Sequence, residues 1–411
     1  MGAVSCLWHV PTGEKAVIAC NDHVAHIGMN RGTESIMKTG LFNRTLYSAC
    51  AAAVLGLLPP VAAVARDSVD HGAAPSGNIS VVARFYDMQP SGIATLPDGR
   101  IVLAFPRSAA DHKGPRLGVL NKGKAIAFPD EATQARFVSP LGMTVDTTGR
   151  LWIVDEGIVA GQKTPAAPSL IGLDGHTGQI VATIPLGAGA TRSDSHVNDV
   201  RVDMTHGAQG TAYVSDTSLM DHPAIIVVDI ATGHARRVLE NAPSTRAEPG
   251  FAMELDGQML RYDMAHPAMG QGGIDGVTLS TDSSRLYWQP LSSRRLYSAP
   301  TALLADPAVK PAQLERVVRD EGEDSVVDGM ATGPDNTLYL TDIERHAVLR
   351  RTADGHLSVV AHDPRLIAPD GLTLKDDALW LTVGQWGRLP VFHDGHDMEE
   401  RPWLVVRIPL K

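Results

Sequence analysis

Short apolar runs, each followed by a polar turn and a second run rich in Leu, Val, Tyr and Trp, recur along the chain. Six copies can be traced: Pro90–Phe105, Pro140–Asp155, Val197–Asp203 continued by Thr211–Asp216, Ile274–Gln289, Val326–Asp342 and Ala368–Thr382. An apolar run, a turn bearing Asp, Gly or Asn, and a second apolar run are the signature of a β-hairpin. The copies repeat at intervals that suit one four-stranded propeller blade each. The pattern therefore predicts an all-β, six-bladed β-propeller with blades starting near residues 90, 140, 197, 274, 327 and 369. Phe251–Tyr262 faintly mimics the hairpin, but about 25 residues separate it from the next copy, too few for four strands of ~5 residues. Strand-like segments near both ends, Ile79–Phe85 and Trp403–Leu410, are expected to share one blade, which would close the ring and remove an exposed edge. Long helical periodicity is absent; only the segment around Pro300–Pro307 reads as a short helix. Stacked sandwiches are the alternative, and the repeat period disfavours them.

Residues 37–65 interrupt this picture. Lys38 and Arg44 precede an apolar stretch from Leu46 to Leu58, and Ala63-Val64-Ala65 follows as a small-residue cleavage site. The stretch is shorter than the roughly 20 residues a membrane-spanning helix needs, so a cleaved secretory signal is expected, with no stable membrane insertion afterwards. Residues 1–36 resemble no part of such a signal, and Met37 is expected to be the true start. The predicted location is periplasmic or secreted. All three cysteines, Cys6, Cys20 and Cys50, fall before the expected cleavage point, so the mature domain is expected to use neither disulfides nor thiol chemistry.

A net charge of −10, with no basic stripe, disfavours a nucleic-acid partner. No nucleophile elbow, glycine-rich dinucleotide loop, phosphate loop or zinc-protease motif is present. The candidate chemistry lies in the repeat itself. In a propeller the first strand of each blade lines the central channel, so equivalent positions converge near the axis. With Gly92, Gly142, Asp199, Gly276, Gly329 and Gly371 as anchors, the preceding residues form a ring: Ser91, Leu141, Asn198, Asp275, Asp328 and Asp370. Three carboxylates and an amide facing one another would repel unless a cation sat between them or protons were retained. One reading is a divalent metal site, Ca2+ before Mg2+, built from Asn198, Asp275, Asp328 and Asp370. The other makes each Asp-Gly a turn device, with Asp bonding nearby backbone and Gly taking an awkward dihedral. If the site is hydrolytic, Asp328 or Asp275 is the candidate general base; if it binds an amine, the same carboxylates pair with the ammonium. His196 would share a face with Asn198 and is a further candidate acid or base. His266 is placed on a loop over the channel mouth, Asp155, Asp216 and Asp342 are read as turn residues, and Trp152, Tyr287, Trp288 and Trp380 as core.

Between Ser195 and Pro307 the chain becomes more specific. The segments His196–Asp203, Ala212–Thr217, Ile225–Val238, Gly273–Ser280 and Leu286–Leu304, with Pro290-Leu291-Ser292-Ser293-Arg294 and Val197-Asn198-Asp199 together distinctive, resemble the yellow and major royal jelly protein family. Weaker similarity extends over most of the rest. The resemblance implies a secreted six-bladed propeller, related more distantly to gluconolactonase and regucalcin-type lactonases. It also implies a small-molecule ligand or substrate in the channel: a metal-dependent lactonase-like hydrolase, a non-catalytic binder of a small amine or aromatic ligand, or a dopachrome-type isomerase. Ser91 stands where lactonase-like relatives carry a metal-binding Glu, which weakens the transfer of lactonase activity. Asp275 replaces an aromatic common in yellow-like proteins, which makes the channel more acidic.

Overall fold

The computed structural model describes residues 74–410 apart from 219, 256–257, 261–271 and 394. The expected signal segment, the residues before it and His266 lie outside the described residues.

Six four-stranded antiparallel sheets form a β-propeller. Their first strands are Ile93–Thr95, Pro140–Val145, Val197–Asp203, Ile274–Leu279, Val327–Thr332 and Pro369–Lys375. These six strands touch one another in cyclic order, and the sixth meets the first, so they line the axis. The sixth blade combines Pro369–Lys375, Ala378–Val383 and Trp403–Pro409 with Ser80–Phe85 on the outside. Sequence-distant strands thus hydrogen-bond side by side, and the ring closes without a free inner edge. The Phe251 region contributes a separate two-stranded hairpin, Met253–Leu255 with Gln258–Leu260, and no seventh four-stranded sheet occurs among the described residues.

The core is divided among the faces between blades. Trp152 and Val154 of the second blade pack with Val200, Val214 and Ile226 of the third. Tyr213 and Ile225 pack in turn with Val277, Leu286 and Trp288. Because each sheet is covered on both faces, its middle strands read as continuous apolar runs rather than as an alternation. Leu151–Val154 and Ala224–Val228 are buried throughout.

Two local readings change. A helix forms at Thr301–Ala305 as expected, but Pro311–Val317 is helical as well. Its proline stands in the first turn, where no amide donor is missed, and Leu314 is its one buried side chain, too little for a periodic signal. Asp155 and Asp216, read as turn residues, are buried clasps, whereas Asp342, also buried, caps the turn that follows its strand as expected. Asp155 accepts the N–H groups of Val138 (2.6 Å) and Ser139 (2.8 Å), tying the entry of its blade to the end of the second strand. Asp216 likewise accepts from His196 N–H (2.9 Å) and is paired with Arg237 (2.6 Å). Asp342 accepts from the N–H and guanidinium of Arg345. Backbone donors at the blade entries beside Asp155 and Asp216 need acceptors, and a carboxylate one strand away supplies them.

Candidate functional site at the head of the channel

The five anchor glycines are not turn glycines. All lie outside the left-handed region, and each is required by close approach to the next blade. A Cβ on Gly92 would come within 2.0 Å of Leu141 O, on Gly142 within 2.4 Å of Asn198 O, and on Gly276 within 2.3 Å of Asp328 O. On Gly329 it would meet Asp370 O at 2.2 Å, and on Gly371 Ser91 O at 2.5 Å. The inner strands can crowd the axis only where the side chain is missing. From the second blade to the sixth, the pairing with the second strand slips at this point, as between Val327 and Met330. A bulge of this kind re-aims side chains. Hydroxyls on second strands take up freed backbone groups: Gly329 N–H donates to Thr341 Oγ1 (2.8 Å) and Asp199 N–H to Ser215 Oγ (2.9 Å).

Five bulges and the regular entry of the first blade bring Ser91, Leu141, Asn198, Asp275, Asp328 and Asp370 to the floor of one cavity of about 520 Å³, with His196 in its wall. Above the floor the lining is largely apolar, with Leu291, Trp386, Leu389 and Phe392. Ser91 Oγ donates to Asp370 Oδ2 (2.7 Å), and Asn198 Nδ2 donates to Asp275 Oδ1 (2.5 Å). Asp328 has no hydrogen bond among the described residues and faces the cavity.

Two residues that the repeat pattern passed over complete the floor. Asp199 is the single anchor that is not glycine, and its Oδ1 lies 2.7 Å from where a Gly142 Cβ would stand. It adds a fourth carboxylate beneath the ring. Arg201, two positions further along the same strand, donates to Val200 O (2.7 Å) and Met330 O (2.6 Å) and puts its positive charge close to Asp199. It also lines the polar opposite mouth of the channel, among Thr95, Thr144, Thr278, Thr332 and Thr373. The exception to glycine in an otherwise regular repeat was the signal that could have found Asp199.

Burial and mutual repulsion decide the charge of the floor. Asp275 is pushed well above the usual carboxylate range by burial, then by the charges of Asp199 and Asp370, with Asn198 opposing. Asp328 is raised in the same way by burial and by Asp370, Asp275 and Asp199. Asp370 is raised to about 7 by burial, with the Ser91 hydrogen bond opposing. Asp199 is raised by burial against the pull of Arg201. Protons or a bound cation must therefore relieve the ring near neutral pH.

The wall holds a second unanticipated group. Glu156, 2% exposed, accepts a hydrogen bond from Ser139 Oγ (2.7 Å), while its Oε2 lies 3.4 Å from His196 Nδ1. Burial pushes its carboxyl up, with His196 pulling the other way.

The sequence model described as major royal jelly protein matches residues 138–396, which contain five of the six blades' inner strands. The chain belongs to the major royal jelly protein family. Major royal jelly protein 2 of Apis mellifera is 26% identical over 272 residues, covering 64% of this chain and 56% of that protein. The chain thus spans about half the length of the curated relatives it matches. Among solved structures, a candidate gluconolactonase superposes with a TM-score of 0.50 at 10% identity, covering 81% of this chain and 92% of its own. A gluconolactonase from Xanthomonas campestris gives 0.49 at 14% identity, covering 82% and 90%. The likeness to the candidate gluconolactonase is one of fold. Within this royal jelly family propeller, no three His, Cys, Asp or Glu side chains among the described residues gather closely enough to ligate one ion.

Proposed function

We propose that this protein is an exported binder of a small organic cation with an apolar body, an amine being the simplest case. The observation that carries the reading is the Asp328 carboxylate, without a hydrogen-bond partner among the described residues at the floor of an apolar-walled cavity. Its neighbours are already engaged: Asp370 by Ser91, Asp275 by Asn198 and Asp199 by Arg201. An ammonium group beside Asp328 would neutralise the ring's excess charge, and the hydrocarbon part would lie against Trp386, Leu389 and Phe392.

The calcium-dependent lactonase reading fits these residues less well. The donors are hard oxygens that suit Ca2+, but Asp370 and Asp275 are already engaged by Ser91 and Asn198, and no three carboxylates among the described residues gather closely enough to ligate one ion. Hydrolysis of a lactone also develops negative charge on oxygen, which needs donors opposite it; here carboxylates face the cavity and Arg201 lies beneath them.

Calorimetric titration with 2-phenylethylamine and its neutral counterpart 2-phenylethanol tests the reading. The amine should bind at least about tenfold more tightly, and Asp328→Asn should remove most of that advantage, as expected for a charge-assisted hydrogen bond worth ~1.5–3 kcal/mol. Equal affinity for the two compounds overturns it. A parallel titration with Ca2+ should give no heat of binding; saturable Ca2+ binding lost in Asp328→Asn would favour the metal instead.

A further inference from the structure

The inner strands carry a second ring at their far ends. In the register with the second strands, Ala94, Thr144, Arg201, Thr278, Ala331 and Thr373 hold equivalent places in the six blades. All six line the opposite mouth of the channel, a cavity of about 400 Å³ in which Arg201 is the one cationic side chain. Arg201 Nη2 donates to Met330 O of the fifth blade, so the guanidinium reaches past the fourth blade and lies across the channel. The short Ala331 beside that carbonyl leaves room for it.

A guanidinium has five N–H donors. Two are spent on Val200 O and Met330 O, and the other three have no acceptor among the described residues. Asp199 attracts the charge electrostatically, with no hydrogen bond between the two side chains among the described residues. The hydroxyl of Thr144 also has no partner among the described residues. Thr278 and Thr332 share a hydrogen bond (2.9 Å), which uses one of their two hydroxyl hydrogens and leaves the other. The acidic side chain in the lining, Asp146, is already engaged by Arg150 (2.8 Å), Trp152 Nε1 (2.8 Å) and Thr148. Unspent donors and a positive charge thus meet at this mouth, the reverse of the acidic floor at the head.

We propose that the opposite mouth is a second binding site, for a small hydroxylated carboxylate. The planar fork of Arg201 matches the two oxygens of a carboxylate, and threonine hydroxyls, which both donate and accept, suit alcohol groups beside it. The cavity is of the size of small-molecule sites, ~300–1,000 Å³, and is larger than a single inorganic ion fills. No described residue lines both cavities, so the site is separate from the head of the channel and independent of the cation-binding reading.

The test titrates the protein with D-glycerate, with glycerol as its neutral counterpart and with inorganic phosphate, by calorimetry and by the arginine Nε–H resonances in proton–nitrogen NMR. D-glycerate should bind saturably at one site per chain, at least about tenfold more tightly than glycerol or phosphate, and should shift the Arg201 resonance. Arg201→Lys, which keeps the charge and loses the fork, should weaken binding by about tenfold or more, and Thr144→Val by a few-fold, the scale of one hydrogen bond to a hydroxyl. Asp199→Asn combined with Arg201→Met, which removes both charges, should abolish binding and the Arg201 resonance. Melting curves establish that each variant is folded; if the double variant is not, Thr144→Val and the shift of the Arg201 resonance decide. Absence of saturable D-glycerate binding overturns the site. Equal affinity for glycerol overturns recognition of the charge, and tighter binding of phosphate overturns the carboxylate in favour of an inorganic oxyanion. Binding unchanged in Arg201→Lys and in Thr144→Val overturns its placement at this mouth.

Discussion

At the residue scale, the character of the site comes from one departure from a repeat. Five blades place glycine at the axis and the third places Asp199, which brings a carboxylate below the floor and Arg201 below that. The two charges are held in the protein interior and depend on each other. Arg201→Met should destabilise the fold by about 3 kcal/mol, because it leaves a buried charge uncompensated. Asp199→Asn combined with Arg201→Met should cost clearly less than the single Arg201 change, and a urea-denaturation double-mutant cycle measures the coupling. Additive costs would show that the pair does not interact. The ring Ser91, Leu141, Asn198, Asp275, Asp328 and Asp370 was legible in the sequence because every member holds the same place in a repeat. Glu156 was not legible. Its neighbour His196 is distant in sequence and in another blade, and a carboxylate after a strand carries no periodic mark.

At the scale of the element, the Asp-Gly pairs changed meaning. The sequence pattern left a turn device and a channel ring both open, and the structure places each pair inside a strand at a bulge. The glycine serves the neighbouring blade, the aspartate serves the cavity. Gly329→Ala would press a methyl group into Asp370 O, which belongs to backbone and cannot rotate away. The expected cost is about 2 kcal/mol, within the usual range for overpacking, together with weaker amine binding as Asp370 is displaced. Gly395→Ala, which has open space around it but a left-handed backbone, should cost about 1 kcal/mol with no effect on binding. Equal effects on binding would argue against the interblade role. Asp155, Asp216 and Asp342 teach a related point: at the end of a strand, an aspartate capping a turn, as Asp342 does, and one clasping a blade entry, as Asp155 and Asp216 do, have the same local sequence.

At the scale of the whole molecule, six blades pool charges that no single blade would hold together. The floor carboxyls have higher pKa values in the folded protein than in the unfolded chain, so folding takes up protons. Their ionisation costs nothing below about pH 4, where both states are protonated; the cost grows as pH rises through about 7, where Asp370 loses its proton. Glu156 and Asp342, also raised by burial, act with the same sign. Asp194 and Asp282, lowered to about 2, contribute the opposite sign only in strong acid. The ligand-free protein should therefore melt at progressively lower temperature from pH 5 to pH 8, and Asp328→Asn should flatten this slope. Over the same interval affinity for 2-phenylethylamine should rise, by up to about tenfold per unit for each proton displaced. A melting temperature that rises with pH, or an affinity independent of pH, would contradict the charge state assigned to the floor.

The sequence alone determined the number of blades, the pairing of the two chain ends in one sheet and the positions that face the axis. All three follow from a repeated alternation of apolar strands and polar turns, which is local information. Tertiary structure decided which of those positions share hydrogen bonds, which carboxylate is left unpaired, and that Asp199, Arg201 and Glu156 join the site. Those facts depend on distances across the ring between residues up to 279 positions apart, as for Ser91 and Asp370. No local pattern encodes such distances; they exist only once the blades have closed.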